Sequence, residues 1–77
     1  MRIISQRQDI SVDFDRNSFR VYDKYIYLTD LGLKQDIMIG QYESEDRAKE
    51  VFKDMHDQYQ DEMLNLPNVE MFYMPKE

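Results

Sequence analysis

Five carboxylates, Asp46, Glu50, Asp54, Asp57 and Asp61, follow one another at spacings of four, four, three and four. On an α-helix that spacing stacks them along one face. A row of acids can chelate a hard cation, trade protons with a substrate, or present negative charge to a basic surface. Chelation by Asp54, Asp57, Asp61 and Glu62 lacks the Asp-rich, glycine-bearing loop that shapes such sites. Proton transfer needs a carboxyl whose apolar setting raises its pKa, and no acid here has a spacing or setting of that kind. Charge presentation remains. The ordinary use of such a row is a solvated helix face. Two features argue for more. Asp46–Glu50, Glu50–Asp54 and Asp57–Asp61 repel at i,i+4 by ~0.2–0.5 kcal/mol each, and the later acids sit towards the negative end of the helix dipole. Lys49 can reach Glu45, and Lys53 can reach Glu50 or Asp57, which offsets part of this cost. A chain selected only for solubility could carry a lysine in the row instead. The five acids are therefore candidate partner-binding residues.

A second group is Arg20, Tyr22, Tyr25 and Tyr27. With Asp23 and Lys24 as a two-residue loop, Val21 faces Ile26, Phe19 faces Leu28 and Arg20 faces Tyr27. Phe19, Val21, Ile26 and Leu28 then share one face, and Arg20 with the three tyrosines shares the other. A one-residue slip would mix the two sets. Aromatic pairs and an arginine stem often do no more than support a sheet. The same composition also makes interface hot spots, so these four residues are the second set of candidates. They would serve a protein contact, a homodimer, or a small-ligand pocket at a dimer interface.

The remaining chemistry is sparse. His56 is the sole histidine, so no multi-histidine metal site exists, and its place beside the apolar stripe suits a residue on the helix flank. There is no cysteine, hence no disulfide or thiolate, as in reducing compartments. Gly32 and Gly40 are the only glycines, too few for a phosphate-cradling loop. The six methionines read as core filling and edge contacts. The expectation is a protein that is not an enzyme and uses no metal or cofactor.

These residues need elements to hold them. Seventy-seven residues make one domain with room for one two-layer core. Ser44 to Leu66 reads as the single long helix. Ser44 is its N-cap, Glu45 and Asp46 lie in the first turn, and Pro67 sits at its end. Its apolar stripe is Ala48, Val51, Phe52, Met55, Tyr59 and Met63. Met1 to Gln6 reads as a short strand, Arg7 to Asp9 as a polar break, and Ile10, Val12 and Phe14 as the apolar side of a second strand. The second strand is expected to pair with Phe19–Leu28, placing Phe14 opposite Phe19 and Val12 opposite Val21 across an Asp15–Ser18 turn. Thr29 to Asp36 reads as a loop. Ile37 to Tyr42 reads as a strand in which Gly40 marks a bulge or a close backbone approach, and Asn68 to Met74 as the last strand. The fold class is α+β, a small and mostly antiparallel sheet of four or five strands with one long helix across its apolar face.

Residues 1–42 carry six acids and six bases; residues 43–77 carry ten acids and four bases, so the net charge of −6 lies in the second part. Direct binding to nucleic acid needs clustered Lys and Arg, which are missing. A partner with a basic surface is the better electrostatic match. No apolar run approaches a membrane span, and the charged opening residues do not suit a signal peptide, so a cytoplasmic location is expected.

Three stretches also resemble a known group. MRIISQ at Met1–Gln6, IMIGQYESEDRAKEVFKDMHDQY at Ile37–Tyr59 and VEMFYMP at Val69–Pro75 are similar to small uncharacterised proteins of phages and prophages of Gram-positive bacteria. Those proteins open with MRIISQ, carry Tyr and Ser or Thr before an acidic, Lys-containing helix, and close on an aromatic-Gln-aromatic-Pro string. This chain departs from them at Phe14-Asp15-Arg16, where they have Pro-Tyr-Glu, and at Phe72-Tyr73-Met74-Pro75. The resemblance implies a mobile-element origin and no particular activity. It leads to the expectation of an accessory protein that binds a host protein with a basic surface in the bacterial cytoplasm, as an acidic inhibitor of a defence protein would. A ligand-sequestering protein and a structural phage component are the alternatives.

Overall fold

The computed structural model describes residues 1–30, 35–64 and 71–77, without the side chains of residues 30 and 61–64. Its elements run β1 (Arg2–Ile4), β2 (Ser11–Asp13), a 3-10 turn (Phe14–Arg16), β3 (Ser18–Tyr22), β4 (Tyr25–Asp30), β5 (Gln35–Gln41), α1 (Glu45–Leu64) and β6 (Met71–Tyr73). The class is α+β, as expected. The strands form two three-stranded sheets, β2-β1-β6 and β3-β4-β5, rather than one sheet of four or five. Only β1 and β6 pair in parallel.

The central hairpin has the register that alternation requires. Phe19 pairs with Leu28, Arg20 with Tyr27, Val21 with Ile26 and Tyr22 with Tyr25. Asp23 turns the corner at φ 55°, a left-handed angle that aspartate tolerates better than most side chains.

The early part of the chain differs from expectation. β2 pairs with β1, setting Ile3 against Val12 and Arg2 against Asp13, and not with β3. Two local features decide this. Gln8 adopts φ 62° and closes a tight return in which its N–H donates to the Ser5 carbonyl. Buried Ser5 holds that return, its Oγ donating to Asp9 and accepting from the Ile10 amide. Phe14 donates its N–H to the Met1 carbonyl at 2.9 Å and Phe14 to Arg16 then coil into the 3-10 turn, so β2 ends there and does not run on into a hairpin with β3. The Phe14 ring still reaches Phe19, stacked with centroids 5.3 Å apart. The contact survives through side chains although the strand pairing does not.

The Thr29–Asp36 stretch is strand at both ends, since β4 runs to Asp30 and β5 begins at Gln35. Residues 31–34, and the expectations for Pro67 and for residues 68–70, lie outside the described residues. Gly40 fulfils both readings given to it. The register slips between Ile26 and Tyr27, opposite Gly40 and Met38, so Ile39 is the extra residue of a bulge. A Cβ on Gly40 would lie 2.7 Å from Met74 Cε and 2.9 Å from Tyr42 Cε2.

The helix starts as its first residues dictate. Ser44 Oγ accepts the Arg47 N–H at 3.1 Å, the N-cap bond that satisfies one otherwise orphaned donor. Ala48, Val51 and Met55 are fully buried and Phe52 packs at their side. They meet Ile26 and Leu28 from one sheet and Ile3, Phe72 and Met74 from the other in a single core cluster. Gln6 joins the two sheets at their seam. Its N–H donates to the Ile39 carbonyl, which the bulge leaves available. Its side-chain amide accepts from Gln41 N and donates to the carbonyls of Gln41 and Lys76, at 2.7–2.8 Å.

Candidate interaction surfaces

Alternation along β3 and β4 turns Arg20, Tyr22, Tyr25 and Tyr27 away from the helix, so the structure brings these four candidates onto one outer face. Tyr22 is 65% exposed. Tyr25 and Tyr27 are half-buried against each other, with centroids 6.2 Å apart. The Arg20 guanidinium lies 5.4 Å above the Tyr27 ring and forms an ion pair with Asp36. Asp36 also accepts from Thr29 Oγ1 at 2.8 Å, and with Arg20 this holds its carboxyl below the usual carboxylate range. Met38, opposite Tyr27 on β5, extends the face and is itself exposed. Its place could not be read beforehand, because the bulge decides which β5 residues point outward.

The acids occupy the other side of the molecule. Asp46, Glu50, Asp54 and Asp57 are all exposed along the outer flank of α1. Asp61 belongs to the same helix, but its side chain lies outside the described residues. Local cations break up the row. Lys49 pairs with Glu45 at 3.3 Å, Lys53 with Asp57 at 2.6 Å, and Arg47 with Glu50. Asp57 in turn raises the Lys53 pKa through its hydrogen bond. Among the described residues, Asp46 and Asp54 form no close ion pair, although Asp54 also helps to raise the Lys53 pKa. The acid row and the tyrosine face look in opposite directions, with the helix and sheet layers between them. One flat partner cannot cover both.

His56 keeps to the flank of α1. Its ring packs at 4.2 Å from Phe52 and edge-on at 4.9 Å from Phe14, which also stacks on Tyr59. Nδ1 is 2.8 Å from the Phe52 carbonyl oxygen, an acceptor only, so the proton sits on Nδ1.

One arrangement had no counterpart in the sequence patterns. An open cavity of about 780 Å³ lies between Gln6, Arg7, Tyr42, Glu43, Arg47 and Lys76. Three consecutive carbonyls, of residues 75–77, are held by side chains that line it. Tyr42 Oη donates to Pro75 O at 2.9 Å, Gln6 Nε2 to Lys76 O, and Arg47 Nε and Nη2 to Glu77 O at 3.0 and 2.8 Å. Tyr42 is 4% exposed, and its burial pushes the phenol up to about 12. Gln41-Tyr42 and Arg47 lie far from residues 75–77 in the chain, and only the fold brings them together. The resemblance to proteins opening with MRIISQ touched Gln6 without saying what it does.

No protein-family model, no curated protein and no solved structure matches this chain. No described helix is long and apolar enough to cross a membrane.

Proposed function

We propose that this chain is a small accessory protein of phage or prophage type that acts by binding and not by catalysis, without metal or cofactor. Its partner is a host protein with a basic surface, met in the bacterial cytoplasm and inhibited there as a defence protein would be. Direct contact with nucleic acid or membrane is no part of this reading. The observation that carries it is the exposed flank of α1. The helix holds seven acids and three bases, a net −4 of the chain's −6. Each base is paired with one acid on the same helix, and the exposed Asp46 and Asp54 form no close ion pair among the described residues. Such a field favours a basic partner and speeds encounter with it.

The test is capture of a host protein from lysate by the native chain and by the triple variant Asp46→Asn, Glu50→Gln, Asp54→Asn. A basic protein held at low salt, released at high salt and not held by the variant is the expected result. Equal capture by both forms would sink the reading.

The exposed Tyr22 and Met38 favour a second reading, in which the outer sheet face makes the contact. Stacking of a protein or a small planar ligand there would change little with salt and would be weakened by Tyr22→Ala.

A further inference from the structure

The two outer edges of the β3-β4-β5 sheet are finished differently. At the β5 edge, Gln6 takes the Ile39 carbonyl with its backbone and both backbone groups of Gln41 with its side chain. β3 pairs with β4 alone among the described residues. A two-residue loop makes Tyr22 and Tyr25 a hydrogen-bonded pair, so Tyr22, Arg20 and Ser18 direct their backbone groups at β4. Phe19 and Val21 therefore aim N–H and C=O outward. Asn17, extended at φ −136° and ψ 160°, adds its carbonyl to the row, while its N–H closes the 3-10 turn on Phe14. Common edge protections are missing, for β3 holds no proline, no lysine and no bulge. Its charged residue, Arg20, folds onto Tyr27 and Asp36, across the sheet from the edge. Phe19 and Val21 stay half-buried, whereas their partners Leu28 and Ile26 are 2% and 0% exposed.

We infer that a second copy of this chain pairs with this edge, β3 against β3, antiparallel about a two-fold axis. A register centred on any β3 residue keeps the inward faces together, but centring on Ser18 matches only Asn17 with Phe19 and centring on Tyr22 matches nothing before a turn ends the strand, which leaves three. Centring on Val21 matches one residue of each copy before the Asp23 turn ends the strand. Centring on Arg20 sets two guanidiniums directly opposite, which is unfavourable. Centring on Phe19 pairs Asn17 with Val21 on both sides of the axis and Phe19 with its own copy. Phe19 and Val21 of each strand are then matched, the Val21 N–H reaching the Asn17 carbonyl of the other copy, and Arg20 faces Ser18. The Phe19 rings, each stacked on its Phe14, meet at the axis. The two tyrosine faces become one surface on a six-stranded sheet. With −6 on each copy, association strengthens as salt rises, the reverse of what the basic-partner reading requires of its complex.

Sedimentation equilibrium over a roughly hundredfold concentration range, at low and high salt, tests this together with amide exchange read by NMR. The mass should move from one chain to two with concentration, and further at high salt. In the dimer, the Phe19 and Val21 amides should slow by roughly tenfold or more. Val21→Pro removes an outward N–H that β4 does not use, and should leave a folded monomer. A single-chain mass throughout would overturn the inference. So would a dimer whose Phe19 and Val21 amides exchange as fast as in dilute solution, since its contact would lie elsewhere. If Val21→Pro fails to fold, the exchange pattern of the native chain decides alone.

Discussion

Tyr42 shows how much one side chain can connect. It follows β5, lies under the Arg47 guanidinium at 5.9 Å, and ties its hydroxyl to the Pro75 carbonyl. Ionising it in place would put a charge where water is excluded, which is why its pKa rises to about 12. The unfolded chain gives up the same proton near 10. Between those values the unfolded state binds fewer protons than the folded one, so stability is intact below pH 10 and falls as pH rises towards 12. The chain has six tyrosines. A tyrosinate absorbance titration should show one phase near pH 12, coinciding with unfolding, and Tyr42→Phe should remove it. Loss of the hydroxyl should cost about 1 kcal/mol at neutral pH, because the Pro75 carbonyl loses its donor.

At the scale of elements, the β5 bulge decides most. By adding Ile39 between the partners of Ile26 and Tyr27, it points both Ile39 and Gly40 into the core and leaves Met38 on the outer face. Gly40→Ala should destabilise the protein by about 1–3 kcal/mol in chemical denaturation. The Met74 methyl can swing aside, but the Tyr42 ring edge is held by its bond to Pro75 and cannot. Unchanged stability would mean that the strand shifts freely there, against the bulge's role. The hairpin and helix were legible in advance for a physical reason. Alternation over Phe19–Leu28 admits one register that keeps apolar residues together, and Ser44 ahead of an acidic first turn announces the helix start. The partner of β2 was not legible in this way, because Ile10, Val12 and Phe14 alternate as a strand should, while the 3-10 turn that ends β2 at Phe14 has no strong local signal.

For the whole molecule, Gln6 matters more than its type suggests. Neither sheet is joined to the other by a long ladder; this residue links them through one backbone and two side-chain hydrogen bonds to β5, and a third side-chain bond ties Lys76 to the same point. Gln6→Ala should lower stability by about 1–2 kcal/mol, since the bonds are exposed and water replaces part of them. For a domain of this size that is a fall in Tm of roughly 5–15 °C. Gln6→Glu keeps the acceptor for Gln41 N but turns a carboxylate towards two carbonyls. It should recover none of the loss at neutral pH. Recovery in Gln6→Glu would mean that the Gln41 amide alone matters.

Local pattern by itself determined the fold class, the helix and its acid row, and the hairpin that carries the tyrosines. Each of these follows from periods of 3.6 or two that neighbouring residues enforce. Tertiary structure decided the rest: which strand β2 joins, which β5 residues face outward, and the run of carbonyls that Gln6, Tyr42 and Arg47 hold. It also decided that the acid row and the tyrosine face point opposite ways. Those outcomes depend on contacts between residues tens of positions apart, and no local period encodes them.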